Sequence, residues 1–96
     1  MNIGFDYDDT YTRDPIAWIQ FIKLFQQRGH YVFLTTWRTP SECNDLDVEL
    51  LEVIDGVYPT SRMAKEKFMA KQGIRIDVWI DDNPWAVTHT MEGWEQ

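Results

Sequence analysis

Four short runs of apolar and β-branched residues recur along the chain, at Ile3–Phe5, His30–Thr35, Val57–Thr60 and Asp77–Ile80. Between them the apolar residues fall at helical spacing, so the hydrophobic period keeps switching from strand to helix and back. Strands that alternate with helices predict a parallel sheet with right-handed crossovers, an α/β domain. A chain of 96 residues has room for one such domain, spanning 1–96. At that size it buries about 60 to 65% of its unfolded surface, enough for one core.

The elements have readable ends. Tyr11–Arg28 is expected to be helical, with Asp14 as N-cap, Pro15 at the first helical position and Gly29 as the stop. Its apolar face is Ile16, Ile19, Ile22 and Phe25, with Trp18 and Phe21 alongside. His30–Thr35 is apolar almost throughout, as a strand covered on both faces should be, and Thr39-Pro40 stops regular structure after it. Leu46, Leu50, Val53 and Ile54 mark a second helix, with Asn44 as N-cap and Asp55-Gly56 as its end. Pro59 interrupts the third strand, which suits a sheet edge. A third helix spans roughly 64–72, packs through Phe68 and Met69, and closes at Gly73. Its first turn opens with Lys65 and Lys67, against the helix dipole, and a local rule broken in this way points to a functional reason. The tail from Trp85 to Gln96 is expected to contain a short helix.

The unusual polar residues all fall where strands end. Ile3 and Phe5 run into Asp6, Asp8 and Asp9, three carboxylates within four residues. Like charges this close demand a cation or a shifted pKa. Asp6 and Asp8 leave extended backbone on the same side and make an oxygen-rich pocket suited to Mg²⁺. An acidic turn capping the next helix is the plainer reading of the same residues. The second strand delivers Thr36-Trp37-Arg38, the third leads to Lys65, and the fourth delivers Asp81-Asp82. In open parallel sheets that carboxyl edge is where ligands bind, and four coincidences there favour a site over a turn.

Asp6-Tyr7-Asp8-Asp9-Thr10, Thr36, Lys65 and Asp81-Asp82 resemble the four motifs of the haloacid dehalogenase superfamily, in order and across nearly the whole chain. Asp9 stands where that family usually has glycine. The resemblance implies a three-layer Rossmannoid parallel sheet of four main strands, with the first strand between the second and the fourth. It implies a Mg²⁺-dependent phosphomonoester hydrolase that acts through an aspartyl-phosphate. Asp6 would be the nucleophile and Asp8 the general acid/base, held protonated by acidic neighbours. Thr36 and Lys65 would hold the phosphoryl group, with Lys67 the alternate for Lys65. Asp6, Asp8, Asp81 and Asp82 would form the metal site, with Asp81 and Asp82 both open as the direct ligand. Arg38 could clamp a phosphate oxygen bidentately. The spacing between motifs leaves no room for a cap domain. Capless members have open sites and act on large substrates, or borrow a neighbouring subunit of a homo-oligomer as a lid. Trp37 and Trp85 directly follow the second and fourth motifs and could flank the opening and stack a base. Expected partners are therefore phosphorylated: a nucleotide, a polynucleotide end or a phosphoprotein. The opposing reading is a binding protein that keeps the metal site but sequesters a phosphorylated ligand or blocks a partner.

Charge and cysteine usage narrow the class further. A net charge of −7 disfavours broad electrostatic binding to nucleic acid, sequence-specific duplex DNA binding included, although Arg62, Lys65, Lys67, Lys71 and Arg75 gather in one segment. Cys43 is the only cysteine, so no internal disulfide forms and a cytoplasmic setting is expected. No basic-then-apolar leader opens the sequence, and no apolar run approaches the ~18 residues of a membrane span.

Overall fold

β1 (Asn2–Phe5), α1 (Pro15–Gln27), β2 (Tyr31–Thr36), α2 (Val48–Val53), β3 (Gly56–Pro59), α3 (Lys65–Lys71), β4 (Val78–Ile80) and α4 (Trp85–Thr88) follow one another along the chain. They come from a computed structural model that describes residues 1–91. The four strands form one sheet in the order β3-β2-β1-β4, every neighbouring pair parallel. β1 therefore lies between β2 and β4, and the Pro-containing β3 lies at the edge. Steps from β1 to β2 to β3 run one way across the sheet, and the step to β4 runs back. With right-handed crossovers that reversal puts α1 and α2 on one face and α3 on the other. The helix contacts agree, α1 packing on α2 and α3 on α4. Among the described residues no helix is long and apolar enough to cross a membrane.

Side chains alternate between the two faces of each strand. Ile3 and Phe5 of β1 join Val32 and Leu34 of β2 in the core beneath α1 and α2, with Ile22 and Leu50. The Phe5 ring meets Tyr11 and Trp18 edge-on, at 6.3 and 5.0 Å between centroids. Gly4 faces the other way: a Cβ there would come within 2.6 Å of the Trp79 ring, so glycine leaves room for that ring to lie against β1.

α1 starts as its sequence dictates, the Asp14 carboxylate accepting from the Ala17 N–H at 3.2 Å and Pro15 holding the first position. Tyr11–Arg13 in front of it forms a separate 3₁₀ turn. Gly29 closes the helix at φ +89, a conformation glycine adopts without strain.

Several expectations are corrected. Ile16 is 76% exposed because it falls in the first turn of α1, before the helix reaches the sheet. Asp47, not Asn44, caps α2, its carboxylate accepting from the Glu49 N–H. Thr39-Pro40 does not end regular structure. It opens a 3₁₀ turn, Pro40–Cys43, in which the Thr39 N–H donates to Glu42 at 2.7 Å. β2 is fully covered on one face only: Tyr31 is 56% exposed and Phe33 half-buried, because the short α3 and α4 do not span that side of the sheet. The helix expected between Trp85 and Gln96 is α4; the remainder of that expectation, residues 92–96, lies outside the described residues.

Candidate active site

The strand order reverses between β1 and β4, and both deliver carboxylates at their carboxyl ends. Such a switch point leaves a crevice in a parallel sheet. Here it is a cleft of about 190 Å³ lined by Asp6, Asp8, Asp9, Trp37, Lys65, Asp81, Asp82, Asn83 and Ala86. A larger hollow of about 440 Å³ lies beneath α3 near Met69, Ile74 and Trp79, and holds none of the expected site residues.

Asp6 follows β1 directly, its N–H extending the ladder to the Ile80 carbonyl at 3.0 Å, and it is 6% exposed. Lys65, the first residue of α3, reaches in from the other side and is 1% exposed. Its ammonium donates to Asp6 Oδ1 at 2.8 Å and to Asp81 Oδ2 at 2.5 Å. Lys67 is exposed and outside the cleft lining, whereas Lys65 lines it. Asp82 joins through Thr10, whose hydroxyl lies 3.2 Å from Asp6 Oδ2 and 3.4 Å from Asp82 Oδ1 and accepts the Asp82 N–H at 3.2 Å. Burial pushes the Asp6 carboxyl up, to about 7, against the pull of Lys65, and Asp82 and Asp81 push the same way.

Oxygens of Asp6, Asp81 and Asp82 all lie within 4.8 Å of one another. Three carboxylates and one ammonium leave two negative charges over in a hard, oxygen-only donor set. That fits a divalent cation such as Mg²⁺, with phosphate or water oxygens completing its shell. Both Asp81 and Asp82 belong to this cluster, so the structure keeps both as ligand candidates.

Asp8 departs from expectation. It lines the cleft, yet its carboxylate is outside the acidic cluster and 53% exposed. Arg38 grips both of its oxygens, Nε to Oδ2 at 3.0 Å and Nη2 to Oδ1 at 2.8 Å. The acidic neighbours expected to keep Asp8 protonated are therefore replaced by a guanidinium. Arg38 is occupied in turn: Nη1 donates to Asp45 at 2.7 Å and to the Glu42 carbonyl at 2.8 Å, and the group sits 5.1 Å over the Tyr7 ring. In this state it is a clamp on Asp8 rather than a phosphate ligand.

Thr36 is also corrected. It is buried at the end of β2, it does not line the cleft, and its hydroxyl accepts the Arg38 N–H at 3.3 Å. Its neighbour Thr35 is fully buried, and among the described residues its hydroxyl has no hydrogen-bond partner. β1 and β2 run in register with Phe5 opposite Leu34, and one step further Thr35 falls opposite Asp6. A one-residue step flips a strand side chain to the other face, which is why Thr36 turns away with Val32 and Leu34.

The rim is aromatic and its loops are tied together. Trp37 lines the cleft with its indole N–H fixed to the Met63 carbonyl at 3.0 Å. Trp85 meets Trp37 edge-on at 5.9 Å. The turn leading to Lys65 holds Ser61 and Arg62 at positive φ, +54 and +68. Their N–H groups bond to the Arg38 and Trp37 carbonyls at 3.1 and 2.9 Å, which fastens the turn to the loop after β2. Arg62 also pairs with Glu42, holding that carboxyl well below its usual range. Asp9, the residue at the glycine position of the first motif, has φ +61, a conformation that aspartate tolerates better than most side chains do. Comparison with protein-family models, with curated proteins and with solved structures found nothing that matches the chain.

Proposed function

We propose that this chain is a capless phosphomonoester hydrolase of the haloacid dehalogenase type, dependent on Mg²⁺ and acting through an aspartyl-phosphate on Asp6. Nucleotides or polynucleotide phosphate ends are its proposed substrates. The observation that carries the reading is the buried Asp6–Lys65–Asp81 arrangement at the floor of an open cleft, with Asp82 beside it. A buried ammonium shared by two carboxylates is costly to assemble for stability alone.

Lys65 holds one oxygen of Asp6 and leaves the other, which accepts from the Thr10 hydroxyl, to attack phosphorus. The P–O ester bond breaks as the new one forms, and the leaving alcohol takes a proton from Asp8. Water then attacks the same phosphorus, Asp8 takes its proton, and phosphate leaves with Asp6 restored. Asp6, Asp81 and Asp82 would hold Mg²⁺, which when bound offsets the repulsion between carboxylate and phosphate dianion. Both Asp8 oxygens are held by Arg38, so at least one arm of that clamp has to open for Asp8 to reach the leaving oxygen.

The test is a phosphatase panel of nucleoside monophosphates, 3′- and 5′-phosphorylated oligonucleotides and a phosphopeptide, with Mg²⁺ or EDTA. Turnover that EDTA abolishes and Asp6→Asn eliminates supports the proposal. Tight binding of a phosphorylated ligand with no turnover of any member replaces it with the sequestering protein.

A further inference from the structure

Beside the acidic cleft stands a row of three aromatic rings, the first of which lines it. Trp37 forms a wall of the cleft and cannot swing freely, because its indole N–H is bonded to the Met63 carbonyl. Trp85 opens α4 and lies against it, 5.9 Å between centroids with the planes at 78°. His89, four residues further on, stacks parallel on Trp85 at 4.6 Å and 6°. The His89 ring is itself fixed, with Nδ1 2.8 Å from the Thr88 hydroxyl and 3.2 Å from the Trp85 carbonyl. Even with two rings against it, Trp85 is 50% exposed. This short helix turns Ala86 and Val87 inward, and Trp85 stays half-exposed next to Ala86, which lines the cleft.

The charges beside these rings narrow what they can receive. Five aspartates and one lysine line the cleft, and that lysine is committed to Asp6 and Asp81. Arg38 is committed to Asp8 and Asp45, and the chain carries −7 overall. A long polyanion finds no basic track here, and counterion release cannot drive its binding. A small ligand with one phosphate for the floor and one flat ring for the rim meets both features, since every base has a π-face to stack.

We propose that Trp37, Trp85 and His89 form a base-stacking platform and that the cleft takes a nucleoside monophosphate rather than a polynucleotide end. The placement of the phosphate rests on the hydrolase reading; the platform itself does not. The experiment measures quenching of tryptophan fluorescence by adenosine monophosphate, and its displacement by other ligands, in the Asp6→Asn protein at millimolar Mg²⁺, where turnover is removed. Adenosine monophosphate should bind at least tenfold tighter than ribose 5-phosphate, and Trp85→Ala should remove most of that ratio, as expected from the stacking of one base. Trp85→Phe should keep much of it and guards against a folding defect. Equal affinity for the two ligands, or a ratio that Trp85→Ala leaves in place, overturns the platform even if the active protein hydrolyses both. An oligonucleotide that binds tighter than the mononucleotide, with affinity falling steeply in salt, overturns the choice of substrate. A ratio that depends on Trp85 in a protein with no phosphatase activity supports the platform and counts against the hydrolase reading alone.

Discussion

Asp8 and Arg38 define the sharpest question at the residue scale. If Asp8 is the acid and base, Asp8→Asn should slow hydrolysis of alkyl and ribose phosphates by about 10²- to 10⁴-fold and of activated aryl phosphates by much less. Intact mass during turnover should show one trapped phosphoryl group in Asp8→Asn and none in Asp6→Asn. Equal losses on both ester types with no adduct would assign the proton transfer elsewhere. Asp6 gives a second prediction, for the metal-free protein. Its folded pKa, about 7, lies above its ordinary value of 3.8, so the folded state binds the extra proton between those limits. Its contribution to stability is therefore full below pH ~4 and is lost as pH rises toward 7. Urea unfolding in EDTA should show that decline in the parent chain and a flatter profile in Asp6→Asn, and Mg²⁺ should oppose the decline by favouring the ionised form. Asp6, Lys65 and Asp81-Asp82 were legible because each sits beside a strand end or opens a helix. The Asp8–Arg38 clamp was not, because thirty residues separate its partners and only the docked loop brings them together.

The elements were readable wherever a local signal fixed their ends. Asp14-Pro15 and Gly29 bracket α1 without any help from tertiary contacts. Asp14→Ala should accordingly lower stability by about 1 kcal/mol, read as a shifted urea midpoint at constant m-value. The sequence misled before α2, where Asn44 and Asp47 are both residue types that cap helices and local composition does not separate them; the packing of Leu50 against the sheet does. The loop after β1 makes its own prediction, since Asp9 holds φ +61. Asp9→Gly should leave stability within about 0.5 kcal/mol, whereas Asp9→Val should cost about 1–2 kcal/mol because a branched side chain resists the left-handed region. Equal midpoints for the two variants would show that this loop relaxes readily.

For the whole molecule, the relevant quantity is the excess of negative charge gathered at one edge of the sheet. If the cluster takes Mg²⁺ in the folded state alone, millimolar Mg²⁺ should raise the Tm of the parent chain, and Asp82→Asn should blunt that rise. No shift in either protein would remove the metal from the scheme. The strand order carries a consequence in time. β1 pairs with β4, the last strand of the sheet in chain order, so its second edge is closed only when β4 docks. Pairing strands this far apart closes a loop that spans most of the described residues, which makes the step slow. Until it is made Asp81 is not beside Asp6 and Lys65, and the cluster of three carboxylates is incomplete.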